Sequence, residues 1–239
     1  AILRVVQKDA GILLASLKPE EVLEVLNRCP VSVLKEYPLA ILVLMRCMFN
    51  WKNIPKMLEL KELLLASIRE HPKLSEEEKG NLLGECDLIQ SFLMYNDISR
   101  MSQFHRSASE KMTRPAISIR SDGGWTFWLP ICTYDVSQES GDLDKELEEM
   151  NQCMPHYYKI TNGHGQGAET IMSAEAHFMR GNFVDAHIAL EKAYTRFRET
   201  GRRALHFAAI SAQRLSICMD IKMRNTFEER RKELLQGHN

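Results

Sequence analysis

A glycine-rich stretch around one histidine is the first feature of this sequence whose residue types could do chemistry. Gly163-His-Gly-Gln-Gly167 precedes a predicted helix, and glycine-rich turns at helix N-termini can hold anions with backbone N–H groups. A phosphate loop of the nucleotide-binding kind also needs a strand before the glycines and a Lys-Ser or Lys-Thr pair after them. The sequence shows neither pattern, so we interpret residues 163–167 as a connecting turn.

Sulfur and nitrogen ligands for a metal ion occur close together at Cys153 and His156, with His164 further along. Zinc sites usually show two paired clusters of Cys or His, and the six cysteines form no Cys-x-x-Cys pair. The histidines are dispersed, and a Ser-His-Asp or Cys-His triad is recognised by its geometry rather than by spacing. The sequence therefore predicts no catalytic residue, no metal site and no enzyme.

Aromatic residues and the histidine of the turn are the candidates for binding a ligand or partner: Trp125, Phe127, Trp128, Tyr157, Tyr158 and His164. The rings flank a segment in which the helical pattern is interrupted. Aromatic side chains at such a joint more often connect two helical stacks than enclose a ligand. If a small molecule binds, we expect a pocket lined by these rings and closed by the turn.

Composition limits the class of protein that positions these residues. With 31 basic and 32 acidic residues the net charge is -1, so no overall field attracts phosphate backbones and nucleic-acid binding by this segment is disfavoured. The longest apolar run, Leu39–Met45, is far below the roughly 20 residues that span a bilayer. We expect a cytoplasmic protein without a membrane segment, and the scattered cysteines fit a reducing compartment.

Apolar residues recur at helical spacing and β-branched alternation is nearly absent, which predicts an all-α fold. Pro19 starts one helix, Pro30 ends it and Pro38 starts the next. The spacing Ser75-Glu-Glu-Glu78 is that of a capping box, opening a helix to about residue 95 that pairs with another through residue 112. An acidic helix covers about 142–158. Its apolar stripe favours a solvated face over a cation or partner surface. The arginines at 196, 198, 202 and 203 could contact phosphates or an acidic partner, but we favour their interpretation as helix-end cations.

One stretch shows the pattern of a repeat of roughly 34 residues. Small residues let two helices approach closely, glycine permits the turn between them, and an aromatic ring fills the gap between hairpins. The positions are Ala174, Gly181, Phe183, Ala186, Leu190 and Ala193. Ala208, 34 residues after Ala174, fits the next first helix. We predict antiparallel helical hairpins stacked as a tetratricopeptide-like superhelix, or solenoid.

The same signals divide the chain into four parts. Residues 1–17 are interpreted as the possible end of a preceding module, and 18–112 as N-terminal helical repeats. Residues 113–167 form a non-repeat joint with the aromatic cluster, the acidic helix and the glycine-rich turn, and 168–239 form C-terminal repeats of the tetratricopeptide type.

Several motifs, in this order, resemble the middle region of the large ATP-binding LuxR-type transcription regulators, the group that includes the maltose regulator. They are Asp122-Gly-Gly-Trp-Thr-Phe127, Leu147-Glu-Glu-Met150, Cys153-Met-Pro-His-Tyr-Tyr158, Asn162-Gly-His-Gly165 and Ala174-Glu-Ala176 through Gly181. Earlier stretches around Cys29 to Ala40 and Gly84 to Asp97 are similar to the start of the helical repeats in the same group.

The resemblance implies a parent protein with three functional parts: an ATPase, a central helical sensor and a DNA-binding helix-turn-helix. The sequence contains no G-x-x-x-x-G-K-[ST] box and no helix-turn-helix signature. Only the sensor role therefore carries over; ATP and DNA are expected as ligands of the parent's other modules. The implied partners are a small-molecule inducer or a regulatory protein, and the parent's own ATPase module.

An adaptor with no transcriptional role is the alternative, docking a peptide or partner protein in a groove of the repeats. Basic or asparagine side chains converging on one concave face would favour it. An enzyme would require a pocket with two titratable side chains whose pKa values are strongly shifted.

Overall fold

A computed structural model describes residues 2–94, 97–119 and 143–200. These residues form helices joined by turns, and no strand occurs among them, which confirms the all-α prediction. The α-helices are α1 (Ile2–Asp9), α2 (Pro19–Arg28), α3 (Val31–Lys35), α4 (Pro38–Asn50), α5 (Ile54–Glu70), α6 (Glu76–Ser91), α7 (Ile98–Lys111), α8 (Leu143–Ile160), α9 (Ala168–Met179) and α10 (Phe183–Thr200). Short 3-10 helices lie at Leu13–Ser16 and Phe92–Met94. Within these ranges no helix combines the length and apolar character needed to cross a membrane.

The chain divides into two compact units. Of the described residues, the first unit contains 2–94, 100–119 and 159–162, and the second contains 97–99, 143–158 and 163–200. The domain boundaries that the sequence places after residues 17, 112 and 167 remain predictions. The stacking of the helical hairpins into a superhelix also remains a prediction.

Helix α4 lies at the centre of the first unit. Its residues from Ala40 to Met45 are each at most 2% exposed, as expected of a helix that is apolar on all sides. It packs along α5, and α1 also contacts it. Val6 of α1 is fully buried in the same apolar cluster, so at least α1 shares the core of the helices that follow it.

The predicted helix starts in this unit are confirmed. Pro38 lies in the first turn of α4, and the Ser75 hydroxyl accepts the Glu78 N–H at 3.1 Å to cap α6. Pro30 follows α2 as predicted, but it also caps the short helix α3, which the sequence did not predict. A five-residue helix is too short to show helical periodicity.

Helices α6 and α7 pair closely, as predicted, because α6 presents two glycines to its neighbour. A Cβ on Gly84 would lie 2.4 Å from Met112 Cγ and 3.1 Å from the Ala108 carbonyl oxygen, and a Cβ on Gly80 would meet the Lys111 carbonyl. Met101 and His105 of α7 are both buried.

In the second unit, α9 and α10 form the hairpin that the repeat pattern predicts. The small residues Ala174, Ala186 and Ala193 are completely buried where the two helices meet, and Leu190 is 1% exposed. Gly181 has a φ of +79°, which glycine adopts without strain. The rings of the two aromatic residues flanking the turn, at 178 and 183, lie 5.8 Å apart. The predicted helix around Ala208 lies outside the described residues.

The predicted acidic helix is α8, whose ends lie within two residues of the predicted ones, and it continues through Pro155. Proline lacks the N–H that would bond the Asn151 carbonyl, and Asn151 is exposed, so water can satisfy that oxygen. Leu143 and Leu147 are partly buried and Met150 is fully buried, which confirms the apolar stripe.

Candidate functional site

The glycine-rich segment is a tight turn between α8 and α9, as the sequence predicts. Gly163, Gly165 and Gly167 have φ values of +77°, +68° and +101°, and Asn162 has +54°. Side chains with a Cβ rarely adopt these values, so the turn requires its glycines. The Gly163 N–H closes the end of α8 by donating to the Tyr158 carbonyl at 2.8 Å.

Tyr157 and His164 connect α8 to this turn. The Tyr157 hydroxyl lies 2.7 Å from His164 Nδ1, and the two ring centroids are 6.0 Å apart. Both side chains are buried, at 3% and 6% exposure. A buried polar pair of this kind fixes the conformation of the turn, because separating the pair would cost each partner a hydrogen bond.

Tyr158 belongs to a second set of contacts, which joins α8, α9 and α10. Its hydroxyl donates to the Glu169 carboxylate of α9 and accepts the Gly167 N–H at 3.1 Å. Arg196 of α10 also donates to Glu169, and to Thr170 Oγ1 at 3.0 Å. We call Tyr158, Glu169 and Arg196 the carboxylate cluster.

The carboxylate cluster keeps the Tyr158 hydroxyl protonated. Burial of the ring, and then the negative charge of Glu169, raise the pKa of Tyr158 well above its ordinary range. The phenol consequently remains a hydrogen-bond donor to Glu169 throughout the physiological pH range.

The structure places three of the six predicted ligand-binding residues. Tyr157, Tyr158 and His164 come together around the turn; Trp125, Phe127 and Trp128 lie outside the described residues. A role of these six in ligand binding stays a prediction. Sequence reasoning missed Glu169, and it interpreted Arg196 only as a helix-end cation.

The candidate metal ligands from the sequence do not form a metal-binding group. Cys153 is fully buried, and His164 is engaged with Tyr157. Among the residues with described positions, no three or more His, Cys, Asp or Glu side chains group closely enough to hold a metal ion.

Two cysteines of the first unit are unsuited to nucleophilic chemistry. Burial raises the pKa of Cys47 from 9.0 to about 11 and that of Cys86 to about 12. Only the thiolate reacts. At pH 8 we expect iodoacetamide to alkylate Cys47 in the folded chain at least about 100-fold more slowly than in urea, because two pKa units reduce the thiolate fraction about 100-fold.

Mass spectrometry of alkylated peptides measures the alkylation rate of Cys47 directly, with the partly exposed Cys29 as the internal reference. The same shifts predict that stability is unaffected by these thiols below pH 9 and falls as pH rises from 9 to about 11, because only the unfolded chain then gains thiolates. Equal alkylation rates for Cys47 in folded and unfolded chain would contradict the burial that causes the shift.

The outer face of α10 carries an open groove of about 480 Å³. The described residues that line it are His187, Ile188, Glu191, Lys192, Thr195 and Arg196. Beside it, Val184 is 72% exposed. This face combines exposed apolar side chains with basic and acidic ones, a composition that suits contact with another protein.

The carboxylate cluster predicts a measurable coupling between α8 and α10. Tyr158→Phe should lower the free energy of unfolding by about 1–3 kcal/mol, because a hydrogen bond to a charged group is lost inside the protein. Arg196→Met should cost less than about 1 kcal/mol, since half of that side chain is exposed. Urea unfolding of the single and double variants gives their interaction energy.

The matched control is Arg180→Met, which removes the exposed ion pair between Arg180 and Asp144 in the same unit. The losses in unfolding free energy caused by Arg180→Met and Tyr158→Phe should be additive. Those caused by Arg196→Met and Tyr158→Phe should not be. Strict additivity for both pairs would exclude coupling through Glu169.

Comparison with protein-family models, with curated proteins and with solved structures gives no match to this chain.

Proposed function

We propose that this chain is the signal-sensing and protein-interaction domain of a LuxR-type bacterial transcriptional regulator. Its parent protein would also contain an ATPase module and a DNA-binding helix-turn-helix, and the domain would control both. Its signal would be a small-molecule inducer or a regulatory protein.

The observation that supports the proposal most is the structural role of the motifs that carry the resemblance. Residues 153–158 lie in the last two turns of α8, 162–165 lie in the turn after it, and 174–181 form the second half of α9 and its turn into α10. They include the Tyr157–His164 pair, Tyr158 and the buried Ala174. The shared motifs therefore coincide with the residues that define this local fold, although a shared fold supports a function only by analogy.

The carboxylate cluster offers a physical basis for sensing. Three helices meet at one carboxylate, so a ligand that moves α8 relative to α9 must strain or break contacts at Glu169. A signal changes a protein's activity only if it binds two conformations with different affinity. We propose that the conformations differ around residues 157–169 and that the parent's ATPase module responds to the difference.

A stand-alone adaptor of the tetratricopeptide type is the second candidate, favoured by one observation. The α10 groove is lined by Lys192 and Glu191 next to the apolar Ile188. Arg196, also in the lining, is paired with Glu169. Such a surface, with charges of both signs beside exposed apolar side chains, fits a charged, partly apolar peptide.

Deleting the segment in frame from the chromosomal gene and comparing transcripts separates the two candidates. A sensor of a regulator should change a small set of transcripts, and a point variant of the turn, His164→Gln, should change the same set. If the deletion strain and the His164→Gln strain both have the transcript profile of the unmodified strain, the regulator is excluded. The adaptor then remains, and affinity purification of its binding partner would test it.

A further inference from the structure

The first unit contains a segment without regular structure that is attached by polar contacts to the helices on either side. Residues 113–119, which we call the strap, follow α7 and lie across α6. Their contacts involve one completely buried carboxylate, that of Glu85 in α6.

Glu85 receives three hydrogen bonds, all from the strap. The Ser118 N–H and hydroxyl donate to Oε2 at 3.0 and 2.9 Å. Arg114 donates to Oε1 at 2.7 Å and uses its second terminal nitrogen to bond Glu78 at 2.8 Å. The strap therefore supplies both the counter-charge and the polar hydrogens that a buried carboxylate needs.

Further contacts to Asn81, Glu77 and Ile160 secure the rest of the strap. The Asn81 side-chain oxygen accepts the Thr113 N–H at 2.9 Å. The Ala116 N–H donates to the Ile160 carbonyl at the end of α8, at 2.7 Å. The strap thus contacts both α6 and Ile160, which belong to the first unit.

Apolar contact contributes less to this attachment than it does to the packing of α6. Within the strap only Ala116 and Ile119 are buried, at 9% and 7% exposure, whereas α6 buries Leu82, Leu88 and Ile89 almost completely. A buried ion pair gains roughly what its desolvation costs. On release, water hydrates Arg114, Glu85 and Ser118 again, which offsets part of the cost of breaking their contacts and of exposing Ile119.

We propose that the strap is a releasable latch: residues 113–119 detach from Glu85 as one unit while α6 and its apolar core stay folded. Release also frees the Ile160 carbonyl. This inference does not depend on the function proposed above.

Amide hydrogen exchange of the intact 239-residue chain, followed by NMR, tests the latch. The Thr113, Ala116 and Ser118 amides should exchange at similar protection levels, at least about tenfold less protected than amides in the centre of α6. Glu85→Gln, which keeps the side chain's size but removes its charge, should speed exchange of all three by about tenfold or more. The α6 amides should change less than about twofold.

A second variant keeps the test valid if Glu85→Gln does not fold. Ser118→Ala removes one donor to Glu85 and should speed strap exchange severalfold. The matched control is Ser107→Ala, which removes a serine hydroxyl donating to another α6 carboxylate, that of Asp87, at 2.8 Å. It should leave strap exchange unchanged.

Two results would overturn the latch. The first is equal protection of strap and α6 amides in the unmodified chain, which would mean that they open together. The second is acceleration of strap exchange by Ser107→Ala as large as that by Ser118→Ala.

Discussion

Leu42→Ala is expected to lower the free energy of unfolding by about 2–5 kcal/mol, the largest effect of any single substitution considered for this chain. Leu42 is completely buried in α4, between the other apolar side chains of the first unit's core. Truncation removes three buried carbon atoms and leaves a cavity, because neighbouring helices relax only partly. Urea unfolding followed by circular dichroism measures the loss.

The same substitution at Leu58 provides the control. Leu58 lies on α5 and is 43% exposed, so Leu58→Ala should cost less than about 1 kcal/mol. A loss at Leu42 no larger than that at Leu58 would contradict the position of α4 at the centre of the unit.

Gly84→Ala is expected to destabilise the chain by about 1–3 kcal/mol, although alanine is the better helix former by about 1 kcal/mol. The new methyl group would overlap Met112 Cγ at 2.4 Å and lie tight against the Ala108 carbonyl oxygen at 3.1 Å. The second contact is to backbone, so α6 and α7 must separate.

Met112→Ala in the Gly84→Ala background tests the reason for this effect. Shortening Met112 removes the closest overlap, so the double variant should lose less stability than the sum of the two single losses. Additive losses, or a stabilising Gly84→Ala, would show that the helices do not approach each other at Gly84.

Local signals made much of the helical fold predictable from sequence. Ser75 caps α6 and Pro38 starts α4 through interactions within one turn, and such interactions are readable in the sequence. The α9–α10 hairpin was predictable because close helix packing restricts residue size at fixed spacing, as at Ala174 and Ala186. The short helix α3 was missed because its five residues are stabilised by packing on α4 and α5 rather than by a pattern of their own.

The polar contacts were less predictable, because they join residues distant in sequence. Glu85 meets Arg114 and Ser118 about 30 positions later, and nothing in the helical pattern of α6 distinguishes this carboxylate from its exposed neighbours. Glu169 carried one usable signal, its place in the first helical turn after the glycines. Tyr158 and Arg196 are brought to it only by the folded hairpin.

Determining the reading frame on both sides of residues 1–239 in the genomic DNA tests the central claim most directly. The proposed sensor role predicts a G-x-x-x-x-G-K-[ST] box upstream and a helix-turn-helix signature downstream, in the same frame as this segment. A continuous reading frame that contains this segment but neither signature would contradict the regulator and leave the adaptor as the function to pursue.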